Sequence, residues 1–208
     1  MATRYPYDVT LAVRTLRRRD RELGALMDRV GPFNLGLRDG NTPFQSVLQS
    51  IVYQMISTKS AKAIHGRIIK LFPNRYPSAR RLRSVPDGDL LAAGLSRAKV
   101  KALRDLSDRC IDGRVPRASR LKNMSDGEVL ACLQQVRGVG VWTAEMLLIF
   151  NLARPDVLPA GDLGIRRGFR MAYGLDCDPT PGQLLAHGER WRPWRTVAAW
   201  YLWRANHL

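Results

Sequence analysis

Apolar residues recur along this chain at intervals of three and four, and no stretch alternates apolar with polar residues over the length a half-buried strand requires. The clearest stripe is Phe44, Val47, Leu48, Ile51, Val52, Met55 and Ile56. Thr42 and Pro43 precede it, an N-cap residue and the one residue that suits the first helical position because it has no N–H to leave unpaired. This pattern predicts a helix from 43 to 56 that breaks at "STKS", residues 57–60, and a second from Ala61 to Leu71 that stops before Pro73. Ser96 opens another, with Val100, Leu103, Leu106 and Cys110 on one face and Gly113 placed to end it. Ser125 and Glu128 have the spacing of a capping box, so "SDGEVLACLQQ" reads as a short helix. "LGIRRGFRMAYG" reads as a helix closed by Gly174, and Thr180–Pro181 and then Pro193 start the last two. The fold class is all-α, with about eight to ten short helices and neither an internal repeat nor a low-complexity linker.

Composition narrows what such a chain binds. Its 208 residues carry 34 Lys and Arg against 18 Asp and Glu, a formal net charge of +16 and a pI near 10.8. Excess cations give a steered, salt-dependent attraction to polyanions, so nucleic acid is the first partner to consider. Charge alone leaves membrane-surface and ribosomal roles open. The 45% hydrophobic content supplies a core and argues against disorder. Cys110, Cys132 and Cys177 are too far apart for a zinc pair or an iron–sulfur run, and their odd number argues against a disulfide framework, so all three read as reduced core residues. The opening stretch "MATRYPYDVTLAVRTLRRRD" has no apolar signal core, and no segment approaches about 18 uninterrupted apolar residues. The expectation is a cytoplasmic, nucleoid-associated protein with no membrane partner.

Two short stretches carry chemistry. In "VRGVGVWTAEMLLIF", 136–150, Gly138 and Gly140 separate a short helix from a strongly apolar one. Glycine there lets the chain turn tightly and leave N–H groups pointing outward at the start of the second helix, a geometry that can grip phosphate. A plain helix–helix connection with no ligand is the alternative. In "LPAGDLGIRRGF", 158–169, a lone carboxylate, Asp162, stands directly before a helix in an arginine-rich neighbourhood. That place makes it an N-cap, and a helix N-terminus also favours the ionised carboxylate, so a capping and a chemical role are compatible.

"LQQVRGVGVWTAEMLL" closely resembles the helix–hairpin–helix element of the DNA glycosylase superfamily, in which a catalytic aspartate lies about twenty residues beyond this position; Asp162 is 20 residues past Trp142. The resemblance covers most of the chain. "FQSVLQSIVYQMISTKSA" is similar to that superfamily's FxxLVxxIxxQxxS segment, "GLSRAKVKALRDLS" to its next helix, and "ERWRPWRTVAAWYLWR" to the C-terminal signature of the 3-methyladenine DNA glycosylase II, alkylation-repair branch. Bacterial members of that branch carry a β-rich domain ahead of this region; the present sequence lacks it and resembles the shorter, purely helical members.

The resemblance implies two helical lobes with a DNA-facing cleft between them, one spanning 43–152 with the hairpin element at about 125–150, the other combining 1–42 with 153–208. It implies Asp162 as the catalytic carboxylate, with Glu145 and Asp156 the competing acids; Glu145 reads as a helix-surface or salt-bridge residue. Trp142 stands where the lyase members carry a nucleophilic lysine, so the strand should stay uncut. Trp142 and Trp203 would line the base pocket, although both could be ordinary core tryptophans. Gln54 matches the family's glutamine in the pocket. Met146 and Leu163 replace pocket tyrosines of the best-known bacterial members, which implies a less aromatic cleft.

Met55 falls where those enzymes present an apolar wedge, although the stripe 44–56 also suits it as a core residue. Ser57, Arg137, Gly138, Gly140 and Arg166 join it as DNA contacts. The arginines Arg166, Arg167 and Arg170 could equally form a solvated helix face. The carbonyls of Gln134, Val136 and Gly138 would hold a structural Na+ or K+, and no cofactor is required. The function implied is a monomeric, monofunctional glycosylase that flips N-alkylated purines out of damaged double-stranded DNA and leaves an abasic site. The alternatives are a glycosylase for uracil, hypoxanthine or an oxidised purine, and a non-catalytic damage-binding protein. An endonuclease III type is disfavoured, because the C-terminal four-cysteine cluster and the hairpin lysine are absent.

Overall fold

The computed structural model describes residues 5–38 and 40–208, and every regular element among them is helical. The α-helices in chain order are α1 (Val9–Arg19), α2 (Arg21–Val30), α3 (Pro43–Tyr53), α4 (Thr58–Lys70), α5 (Ala79–Ser84), α6 (Asp87–Ala92), α7 (Arg97–Ile111), α8 (Ala118–Lys122), α9 (Asp126–Gln134), α10 (Val141–Phe150), α11 (Leu163–Tyr173), α12 (Pro181–Gly188) and α13 (Arg195–Ala205). These exceed the number expected because α5, α6 and α8 are only five or six residues long, too short to hold a periodic stripe.

Caps set many of the boundaries. Thr42, Ser125 and Thr180 each accept a bond from the backbone N–H three residues on, and the side chains of Gln45, Glu128 and Gln183 reach back to the cap's own N–H. Gly174 closes α11 in the left-handed region at φ 62°. Three sequence expectations need correction. α3 ends at Tyr53 rather than Ile56, and α4 begins at Thr58 with Ser57 as its N-cap, so the break lies ahead of "STKS". A 3-10 turn at Glu189–Trp191 and an extended Arg192 delay the last helix from Pro193 to Arg195. Of the three free cysteines, Cys177 is exposed and the other two are half-buried, so none is a full core residue.

The chain divides into two compact units. The central unit is Arg38–Leu152; the terminal unit is the chain up to Leu37 together with Ala153–Leu208. The division falls before Arg38 because the Arg38 N–H donates to the Phe150 carbonyl at 2.8 Å and its guanidinium lies 5.0 Å over the Phe150 ring. In the central unit α3 packs on α4, α7 and α10, burying Phe44, Val47, Leu48, Ile51 and Val52. α10 is apolar on nearly every side and buries Thr143, Ala144 and Met146 through Ile149, as a core helix must.

In the terminal unit α11, α13, α2 and α1 enclose Leu16, Leu23, Met27, Ile165, Phe169, Trp191 and Leu202. Asp20, the N-cap of α2, is only 2% exposed, and its charge is spread over four donors. Oδ1 accepts from the Leu23 N–H at 3.0 Å, and Oδ2 meets the Tyr173 hydroxyl at 2.6 Å, Trp191 Nε1 at 2.8 Å and His187 Nε2 at 3.0 Å. Burial works against the charge, but these bonds outweigh it and hold the carboxyl below its ordinary value of 3.8. A depressed folded pKa stabilises the fold above that ordinary value, and the contribution is lost as pH falls through the folded value. Asp20→Asn would turn an amide donor against donors, so it is expected to cost about 2–4 kcal/mol at neutral pH and to flatten the acid limb of stability. Denaturant melts of both proteins from about pH 2 to pH 7 check this.

Candidate active site

In the terminal unit Asp162 caps α11, with Oδ1 accepting from the Ile165 N–H at 2.9 Å. The same oxygen accepts from the indole Nε1 of Trp203 at 3.0 Å. Two donors on one oxygen, one from each of two packed helices, orient a partly buried carboxylate. Asn206 secures the level below by donating from Nδ2 to the Gly164 carbonyl at 2.8 Å. Trp203 is neither a plain core residue nor a bare wall; its N–H steers the acid. Leu163, the first residue of α11, is 49% exposed.

Asp156 is removed as a competing acid, because Arg192 Nη1 binds its Oδ2 at 2.6 Å and Arg195 Nε its Oδ1 at 2.7 Å. Arg166, expected at phosphate, donates from Nε to the Pro179 carbonyl at 2.6 Å and so braces its own unit, and Arg170 faces Asp178 at 3.1 Å; Arg167 is the exposed member of the three.

In the central unit the turn from α9 to α10 buries Val136 and Val139 and leaves Arg137, Gly138 and Gly140 exposed. Gly138 sits at φ 71°, which a side chain would strain, and the Val139 N–H closes the turn on the Val136 carbonyl at 3.0 Å. Asp105 of α7 anchors it, its Oδ2 accepting from the Arg137 N–H at 2.7 Å and from Arg109 Nε at 2.8 Å. Burial opposes the Asp105 charge, yet the bonds from Arg137 and Arg109 prevail and lower its pKa. Nothing in the sequence marks Asp105, which reads as a solvated acid on an amphipathic helix.

Unlike α3 and α9, α10 starts at Gly140, which has no side chain to cap it. Trp142 follows at the second helical position, half-buried, and Glu145 is half-buried on the same helix. Gln54, expected in the base pocket, donates from Nε2 to the Gly138 carbonyl at 3.0 Å and to Thr143 Oγ1 at 2.9 Å. Its amide braces the hairpin. Met146 is 4% exposed and packs in the core. Met55 is 99% exposed at φ 56° in the turn between α3 and α4, with Ser57 exposed beside it.

Comparison with known proteins gives this arrangement a family. The model for "HhH-GPD superfamily base excision DNA repair protein" matches residues 48–193. DNA-3-methyladenine glycosylase 1 of Schizosaccharomyces pombe is 36% identical over 167 residues, spanning 80% of this chain and 73% of that protein. The structure of the S. pombe 3-methyladenine DNA glycosylase Mag1 in complex with abasic DNA matches with a TM-score of 0.92 at 33% identity, covering 95% of this chain and 97% of that one. The DNA-3-methyladenine glycosidase of Bacillus halodurans matches at 0.83 and 34%, covering 98% and 92%.

Proposed function

The chain belongs to the HhH-GPD superfamily of base excision DNA repair proteins, and from that premise we propose that it is a monofunctional DNA glycosylase that removes N-alkylated purines of the 3-methyladenine type from double-stranded DNA. The observation that carries this reading is the Asp162 carboxylate, oriented through one oxygen by Ile165 and Trp203. Loss of a base from deoxyribose passes through an oxocarbenium-like state, which a fixed carboxylate stabilises while it orients the attacking water. An N-alkylated purine is already cationic and leaves without a general acid, so a single carboxylate is enough.

The remaining residues serve extrusion and grip. Trp203 of the terminal unit and Trp142 of the central unit each carry a flat aromatic ring of the kind that attracts an electron-poor base by stacking and cation–π attraction. Met55, unbranched and exposed, enters the stack and fills the gap of the flipped nucleotide. The amides around Gly138 and Gly140 bind a phosphate. The hairpin is a set of oxygen donors that suits a hard monovalent cation: the Val136 and Gly138 carbonyls each accept one hydrogen bond and keep a second lone pair. With Gln134 they would hold Na+ or K+, which would supply positive charge for that phosphate.

Because tryptophan rather than lysine stands at 142, no Schiff base forms there. A duplex with a single alkylated purine is therefore expected to show strand breaks only after alkali or heat. Immediate nicking that borohydride traps as a covalent adduct is the result that contradicts the monofunctional assignment.

A further inference from the structure

The turn that presents Met55 is held by a lysine that none of the roles above uses. α3 stops at Tyr53, Gln54 is non-helical at φ −57° and ψ 133°, and Met55 takes φ 56°. The last carbonyls of a helix have no partner within it, and a positive φ is disfavoured for any residue with a side chain. A methionine exposed to solvent does nothing to stabilise such a turn, so the restraint has to come from elsewhere. Lys99 supplies it from the first turn of α7, donating from Nζ to the Val52 carbonyl at 2.8 Å and the Gln54 carbonyl at 2.9 Å. Burial pulls its pKa below the usual lysine range. On the other side, the Gln54 amide is fastened to Gly138 and Thr143 of the hairpin. The residue before Met55 is thus pinned through its carbonyl by α7 and through its side chain by the DNA-gripping turn.

We propose that Lys99 is the positioning residue for the wedge: by bridging the Val52 and Gln54 carbonyls it fixes the left-handed turn that projects Met55, and so sets base extrusion without touching DNA. This rests on Met55 acting as the wedge. An unbranched side chain can separate a pair of stacked bases only if its backbone does not yield, which is why the restraint belongs at the base of the turn. A lysine that merely contacted phosphate would spend its N–H groups on DNA; two of the three are spent here on backbone oxygens.

The test is a double-mutant cycle in the full chain, with Met55→Ala, Lys99→Met and the pair. Each is read on a duplex with one alkylated purine beside 2-aminopurine, whose fluorescence reports extrusion. Each single variant is expected to lose about tenfold in extrusion and single-turnover excision. For Lys99→Met, nonspecific duplex affinity and its salt slope should be unchanged, and the pair should be no worse than Met55→Ala alone. Losses that multiply in the pair overturn the proposal, as does a salt slope for Lys99→Met reduced by about one phosphate contact. Full excision by Met55→Ala would instead remove the wedge itself, and the proposal with it. Melting temperatures accompany every variant. Lys99→Gln, which keeps a neutral donor at shorter reach, carries the same cycle if Lys99→Met does not fold.

Discussion

Asp162→Asn is expected to fold normally and bind DNA at least as well as the parent, while base excision falls by about two orders of magnitude or more. Asparagine keeps an oxygen for the Ile165 N–H and the Trp203 indole, and it caps a helix about as well as aspartate. If Asp162 acts as proposed, the loss is that of its charge beside the sugar, worth about 3 kcal/mol or more in the transition state. Removing a negative group close to phosphate should, if anything, tighten binding. Thermal stability, affinity and single-turnover excision measured on one preparation separate these effects. Near-parental excision would leave Asp162 as a helix cap only, with Glu145 next in line.

Gly168→Ala is expected to be the most damaging single methyl group in the terminal unit. A Cβ at 168 would lie 1.9 Å from the Leu202 carbonyl oxygen, 2.7 Å from its carbon and 3.2 Å from its Cα. All three are backbone, so no side chain can swing aside and α11 must move off α13. Those are the helices that bring Asp162 and Trp203 together. Overpacking of this kind costs about 3 kcal/mol, which lowers the melting temperature by several degrees and excision per folded molecule with it. Gly182→Ala, where a Cβ would meet nothing within 4 Å, is the control and should change little. A Gly168→Ala protein as stable and active as the control would show that the two helices have slack at this crossing.

Helix starts were legible wherever residue type and position agreed, as at Thr42 before Pro43 and at Ser125 with Glu128, because a cap is set by neighbours within one turn. The end of α3 was not. Met55 and Ile56 continue the apolar stripe, and periodicity assigns burial to both, whereas the chain reverses at Gln54 and leaves Met55 in solvent. A stripe records which residues are apolar; it does not record a left-handed turn.

The site divides along the same line. Asp162 was found through its distance from Trp142, but its bond with Trp203 joins residues 41 apart, and the Asp105 clamp on the hairpin joins residues 32 apart. Lys99 and Asp105 carry no mark that separates them from solvated charges on an amphipathic helix, and Asp20 none that separates it from an ordinary capping residue. Their partners come together only when the helices pack, so no local pattern distinguishes them from the other charged residues of a chain so rich in arginine.

This chain is expected to free alkylated bases from DNA by means of the Asp162 carboxylate. Chromatography of the bases released from methylated duplex DNA tests it most directly, with the parent protein and Asp162→Asn run side by side. The expected result is free 3-methyladenine from the parent, with the strands intact until alkali is added, and almost none from the variant. No release above the protein-free control, or equal release by both proteins, would contradict it.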